Sequence, residues 1–346
     1  MKISRKKFLQ ICQTVIAGGS ILGVSGFILR KNYLLQKSSH VNSQPARANT
    51  AGAGWQHDIF TSPYKQVSSF SVPDPVESFD MAGENLIVAT SNHIYVYDPS
   101  GSLLNVFDVG NNLRDIAAGH EHIYLLFPSR VEVCNHNGEW LRAWEAPDYL
   151  SDTNTAAVAD FCSMTVARNF LFATDAANKC ICKFTTEGNF VKSFKSPNGF
   201  VIPSYSFGIT CTEGVIYCSN AGRHQVEKYS PDGDYLGAFG KAGDAEGMFC
   251  GCCNPVHITN TSSGDIITSE KGNPRISCYN TKGEFRGMLL DSKILGGGNT
   301  AYHVKIHEDK LLVAGGNRIV TYQYDKTSVA KSTCSVCGAE CPLRSS

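Results

Sequence analysis

Five times in this chain an apolar run ends in a five-residue turn, and that recurrence leaves few folds open to it. The five copies are Tyr97-Asp98-Pro99-Ser100-Gly101, Cys134-Asn135-His136-Asn137-Gly138, Phe184-Thr185-Thr186-Glu187-Gly188, Tyr229-Ser230-Pro231-Asp232-Gly233 and Tyr279-Asn280-Thr281-Lys282-Gly283. Their glycines fall 37 to 50 residues apart. Just upstream of each turn, apolar residues alternate with others, as in His93-Ile94-Tyr95-Val96, Gln225-Val226-Glu227-Lys228 and Arg275-Ile276-Ser277-Cys278. Alternation at period two bounded by Gly, Asn, Asp and Ser marks antiparallel strands, not helices. Arg318-Ile319-Val320-Thr321-Tyr322 is a sixth copy without the glycine. A repeat of roughly 40–50 residues holding several short strands predicts the blades of a β-propeller.

The unit at residues 240–279 is written most fully: a glycine-rich turn, an apolar strand at 256–258, a turn at Ser262-Ser263-Gly264, a strand at 265–268, a polar loop and a third strand at 275–279. Here the chain resembles the NHL-repeat family, whose units run from a short apolar strand through a turn to G-x-V-Y-V-x-D, then N-x-R-V-x-x-F and an Asp-Gly turn. The resemblance covers about residues 65–325 and implies a fold, not an activity. Cys252-Cys253-Asn254-Pro255 after Gly251, followed by Ser269-Glu270-Lys271-Gly272, looks like a subgroup of that family for which no activity is implied.

The fold class expected is all-β, a six-bladed propeller at residues 54–326. Blades one to five occupy about 76–110, 111–146, 157–196, 204–243 and 254–291, and blade six begins at Ala301 with three strands and no fourth. A strand at 65–72 precedes blade one and has no blade of its own. It is expected to close blade six as the outer strand, removing an open sheet edge that would invite aggregation. Closure assigns loops to faces. With first strands starting at the top, the loops between blades and those between second and third strands lie on top.

Residues 1–31 begin with Lys2, Arg5, Lys6 and Lys7 and continue as an apolar run over about 8–29. Such a run is long enough to cross a bilayer as a helix at about 1.5 Å per residue. Ser4-Arg5-Lys6-Lys7-Phe8-Leu9 looks like a twin-arginine export signal, with Lys6 in place of the second arginine, so the general export route is the rival. No small-x-small cleavage site closes the run, and retention as an anchor is expected, with the propeller outside a bacterial cytoplasmic membrane. Residues 32–53 are small and polar and read as a tether. Net charge is +0, and no basic stripe interleaved with aromatics suggests a nucleic-acid partner.

Fourteen cysteines fall into three groups. Cys134, Cys162, Cys180, Cys182, Cys218 and Cys278 lie on expected strands and read as small core hydrophobes. A bridge between Cys211 and Cys218 is conceivable after export, whereas Cys180 and Cys182, two apart on one strand, are poorly placed to bridge. Cys250, Cys252 and Cys253 sit in a loop mouth and form a poor core sequence. Adjacent thiols can close a strained disulfide or hold a soft metal, so these three are the candidate redox or metal site. On the closed ring they share the top face with Glu270, Lys271, Asn220 and Asp175, and with Asn178, Arg223 and His224. The third group, Cys334, Cys337 and Cys341, is spaced C-x-x-C-x-x-x-C-P in a tail at 327–346 and resembles the last three cysteines of a ferredoxin-type motif. Lys331 stands where the first would be, so an iron–sulfur or zinc centre would need a fourth ligand, for which Cys211, His120, His122 and His307 on the bottom face are candidates.

Two enzyme classes are weighed against this. A calcium-dependent propeller hydrolase would use inward Glu270, Asn220 and Asp175, and a zinc-dependent propeller lyase several channel histidines, for which His224, His257 and His303 are available. No Gly-x-Ser-x-Gly elbow or phosphate loop is present, and three tryptophans are too few for a propeller built around a quinone cofactor. The reading is an exported, membrane-tethered propeller serving as a thiol- or metal-bearing redox accessory with a protein partner. The alternative is an interaction scaffold whose cysteines form structural disulfides.

Overall fold

The computed structural model describes residues 60–119, 121–147 and 158–325. The expected anchor, tether and cysteine tail lie outside the described residues. Among the described residues, no helix is long and apolar enough to cross a membrane.

The chain forms six four-stranded antiparallel sheets arranged as the blades of a propeller. Strand β1 (Tyr64–Ser71) comes first, and blade one follows as β2 (Val76–Ala82), β3 (Asn85–Thr90), β4 (His93–Tyr97) and β5 (Leu103–Asp108). Blade two is β6 (Asp115–Ala118), β7 (Ile123–Phe127), β8 (Arg130–Cys134) and β9 (Trp140–Glu145), and blade three is β10 (Phe161–Ala167), β11 (Phe170–Asp175), β12 (Cys180–Thr185) and β13 (Phe190–Phe194). Blade four is β14 (Ile209–Thr212), β15 (Val215–Asn220), β16 (Gln225–Tyr229) and β17 (Tyr235–Phe239). Blade five is β18 (His257–Asn260), β19 (Ile266–Ser269), β20 (Ile276–Tyr279) and β21 (Phe285–Leu290). Blade six supplies β22 (His303–His307), β23 (Lys310–Gly315) and β24 (Arg318–Tyr324).

The ring closes as expected from sequence. β1 is the outer strand of blade six, antiparallel to β24 with Tyr64 opposite Tyr324 and Ser71 opposite Arg318. The Asp325 amide donates to the Pro63 carbonyl at 2.8 Å, so β24 ends at the bottom face where β1 begins.

Second strands carry unbroken apolar runs because a neighbouring blade covers each of their faces. Ile123–Phe127 is buried throughout. The cores lie between blades: Tyr124, Leu126 and Val133 of blade two pack with Phe161, Leu171 and Phe184 of blade three, and Leu312, Ala314 and Ile319 of blade six pack with Phe79, Val88 and Tyr97 of blade one.

The repeated glycine has a physical reason. Gly101, Gly138, Gly188, Gly233 and Gly283 adopt φ between +81° and +97°, where a side chain is strained. Against four of them an aromatic side chain from the preceding blade packs closely. A Cβ would lie 2.5 Å from Phe107 at Gly138, 2.6 Å from Trp144 at Gly188, 2.7 Å from Phe194 at Gly233 and 2.3 Å from Phe239 at Gly283. Phe70 of β1 takes the same place over Gly101, at 3.5 Å. The closing strand therefore supplies its aromatic as any outer strand does.

Candidate functional site

The loop that enters blade five is fixed before its thiols are presented. Phe249 is fully buried against Tyr279, and its amide donates to the Lys241 carbonyl at 2.9 Å. Glu270, only 1% exposed, accepts from the Cys250 amide at 3.0 Å and from Arg275 Nη2 at 2.8 Å. The same guanidinium donates to the Met248 carbonyl at 2.8 Å. Asn254 completes the clamp, donating to the Cys250 and Lys271 carbonyls at 2.6 and 2.9 Å while accepting from the Lys271 amide at 2.9 Å. His224 from blade four reaches the Gly251 carbonyl at 2.6 Å. Cys250, Gly251, Asn254, Glu270, Lys271 and His224 are thus joined in one hydrogen-bond network around the loop.

On this platform Cys252 is exposed and Cys253 is buried, with their sulfurs 3.3 Å apart. A bonded pair would stand at about 2.05 Å, so these are two thiols in contact. Cys253 beside it pushes the Cys252 thiol above its ordinary value. Burial, then the Glu270 carboxylate, pushes Cys250 up as well. Among the described residues no group of three or more His, Cys, Asp or Glu converges as a metal site would need. Cys252 and Cys253 are thus in contact as a pair, with Cys250 beside the Glu270–Arg275 clamp.

The ten cysteines among the described residues are thiols. Cys211 pairs across the sheet with Ile216, and Cys218 with Ile209, so the conceivable bridge has no register to form in. Cys180 and Cys182 stand 3.9 Å apart at sulfur. Cys134, Cys180, Cys182, Cys218 and Cys278 are core, and Cys162 is partly open towards the axis. Cys334, Cys337, Cys341 and His120 lie outside the described residues.

The residues drafted for calcium chemistry stand outside the channel. Asp175 accepts from the amides of Asp160, Ala177 and Asn178. Asn220 accepts from the Val201 amide and donates to the Glu227 carboxylate. Glu270 serves the clamp described above. Each is a buried loop fastener, because a carboxylate or amide taken from water at a strand end must find local donors. Of the three histidines considered, His224 is on the rim, while His257 and His303 face the axis with ring centroids 3.7 Å apart.

The axial channel is the larger feature. It encloses about 680 Å³ and is lined by the six inner strands β2, β6, β10, β14, β18 and β22. One layer consists of Ser78, Asp115, Ser163, Gly208, His257 and His303, one position per blade. Asp115 accepts from Ser78 Oγ at 2.5 Å, Ser163 Oγ at 2.8 Å, the Met164 amide at 2.8 Å and the Ile116 amide at 2.9 Å. It ties three blades together, and burial pushes its carboxyl up. Another carboxylate, Asp80, accepts from the Met81 and Ala118 amides and pairs with Lys305 Nζ at 2.6 Å. Burial in the channel pushes His257 well below its ordinary value, with His303 and Lys271 pressing the same way. Burial alone brings His303 down to about 4. Both imidazoles are neutral at pH 7. Sequence reasoning passed over Ser78, Asp80, Asp115, Ser163 and Lys305. Their signal was polarity at alternate residues of several first strands, as in Ser78 and Asp80 of β2 or His303, Lys305 and His307 of β22.

No protein-family model matches the sequence, and no curated protein matches it. Solved structures do. The fold is similar to virginiamycin B lyase from Staphylococcus aureus, with TM-score 0.52, 11% identity, and coverage of 75% of this chain and 99% of that one. A protein of unknown function from Bacteroides thetaiotaomicron superposes with TM-score 0.57 at 12% identity, covering 76% of this chain and 74% of that one. Luciferin-regenerating enzyme gives TM-score 0.52 at 11% identity, covering 74% and 95%. At such identities the likeness establishes the fold: this chain is a six-bladed β-propeller.

Proposed function

We propose that this protein is an exported, membrane-anchored propeller of NHL-repeat type that acts as a dithiol-bearing accessory to a partner protein. The observation that carries the proposal is the Cys252–Cys253 contact at 3.3 Å, one sulfur open to a partner and the other sheltered. In the reaction envisaged, Cys252 attacks a disulfide of the partner and forms a mixed disulfide. Cys253 then displaces the partner sulfur, so that two electrons and two protons pass to the partner and a bond forms between the vicinal sulfurs. The raised Cys252 thiol makes unassisted attack slow at neutral pH, so turnover depends on a docked partner that draws off its proton. Support for the anchor and the location outside the cytoplasmic membrane is the basic, then apolar, segment at residues 1–31.

Equilibration of the full-length protein in detergent with glutathione redox buffers, followed by mass analysis of the peptide spanning Cys250 to Asn254, tests this. Reversible loss of two hydrogen atoms, abolished by Cys253→Ser, is the expected result. A peptide that stays reduced, or that forms only glutathione adducts on Cys252, refutes the reading.

The tail carries a second proposal, a zinc or iron–sulfur centre held by Cys334, Cys337 and Cys341. Its support is the C-x-x-C-x-x-x-C-P spacing. Of the bottom-face groups considered for a fourth ligand, Cys211 and His307 both line the channel.

A further inference from the structure

We propose that the axial channel is a binding site for a small anion, a carboxylate or a phosphate, received by Lys271, Arg114 and the His257–His303 pair.

The argument starts from what the channel groups have left to offer. Its two carboxylates are already satisfied: Asp115 takes four donors from three blades, and Asp80 takes two amides and Lys305. Neither can bind a ligand without breaking a tie between blades. The donors are in surplus. Lys271 lines the channel and has no acidic partner among the described residues. Arg114 lines it too, and its Nε–H is buried with no acceptor among the described residues, the nearest carboxylate, Asp160, lying 3.6 Å from Nη2. His257 and His303 line the same space with their rings in contact, each neutral imidazole carrying one N–H donor. A site with spare donors and occupied acceptors selects an acceptor-rich guest.

The volume suits such a guest. A cavity of about 680 Å³ lies within the usual range for small-molecule sites, roughly 300–1,000 Å³. A polar lining of fixed donors recognises a compact charged molecule better than an apolar one. Gly208 keeps the blade-four side of the layer free of a side chain. A Cβ there would stand 3.1 Å from the Val256 carbonyl, so the same glycine lets the blade-five strand carrying His257 come close.

The stacked pair also makes binding sensitive to protons. The charged and titratable groups sharing the channel with it are Lys271 from blade five, Lys305 and His307 on β22, Arg114 and Asp115 from blade two, Asp80 on β2, Cys162 on β10, Cys211 on β14 and Tyr205 from the loop before β14. Asp80 is neutralised by Lys305. Burial holds both rings neutral, with Lys271 pressing His257 the same way, and an anion beside the pair favours uptake of a proton.

Titration calorimetry of the full-length protein in detergent at pH 6, with citrate and separately with inorganic phosphate, tests the site and distinguishes the two chemistries. We expect one of them to bind with net proton uptake, seen as a dependence of the heat on buffer ionisation. Lys271→Met should weaken binding about tenfold or more, as loss of a charged hydrogen-bond partner does. His257→Asn should remove the proton uptake. Failure of both anions to bind at millimolar concentration, or binding that Lys271→Met and His257→Asn both leave intact, overturns the proposal.

Discussion

Alanine placed at the five turn glycines separates two physical reasons for the residue. All five share a position in the repeat and nearly the same backbone, φ +81° to +97°. An alanine at such φ costs about 1–2 kcal/mol, offset by about 0.4–1 kcal/mol from a less flexible unfolded chain. That is the whole effect expected at Gly101, where the added methyl would meet Phe70 at an ordinary 3.5 Å. At Gly138, Gly188, Gly233 and Gly283 the methyl would lie 2.3–2.7 Å from a ring or its Cβ. Phe194 and Phe239 are buried and Phe107 and Trp144 half-buried, so each ring must shift against its neighbours to admit the methyl. Overpacking of this kind adds about 1–3 kcal/mol, giving about 2–4 kcal/mol in all. At roughly 2–4 °C per kcal/mol for a domain of this scale, Gly101→Ala should lower Tm by only a few degrees. Each of the other four should lower it by roughly 5–15 °C on the same conversion. Thermal melts followed by tryptophan fluorescence and circular dichroism measure this. Gly188→Ala as mild as Gly101→Ala would refute the ring-contact argument and leave backbone strain as the only reason for the repeat.

Three other predictions bear on the site. Arg275→Met strands the Glu270 carboxylate without its partner, which costs about 3–5 kcal/mol for a buried pair. Chemical denaturation should show the loss, and the double variant with Glu270→Leu should recover much of it. His303 and His257 are neutral when folded and gain protons when unfolded. Stability should accordingly fall as pH drops from the ordinary 6.5 towards about 4, by up to about 1.4 kcal/mol per pH unit for each histidine. The difference between wild type and His303→Gln across that range isolates one proton, and a parallel pair of curves would refute the assignment. Anaerobic purification with iron, zinc and sulfide analysis should find metal that Cys337→Ser abolishes. Colourless, metal-free protein with oxidised tail thiols would sink the tail centre.

Blade number, strand order and ring closure were legible in the sequence because each rests on local chemistry. Turn glycines repeat in register, strands alternate, and a spare strand at 65–72 had one edge to cover. The face of each loop followed from closure, which is why Cys250, Glu270, Lys271 and His224 could be placed together. Chain order did not reveal what those residues face. Glu270, Asn220 and Asp175, inward ligands only in the calcium-hydrolase alternative, are each buried and turned to loop amides or a neighbouring side chain. At a strand end the demand for local hydrogen bonds outweighed the pull of the axis. Cys250 and Cys253 differ in role for a related reason: Phe249 and the Arg275 clamp fix the turn, and only the fixed turn decides which sulfurs meet. The channel layer is the clearest case. Ser78, Asp115, Ser163, Gly208, His257 and His303 are scattered over the length of the chain and meet only when six blades close. Sequence by itself determined the repeat and the ring. The tertiary structure decided which polar groups are used up holding that ring and which remain free to bind.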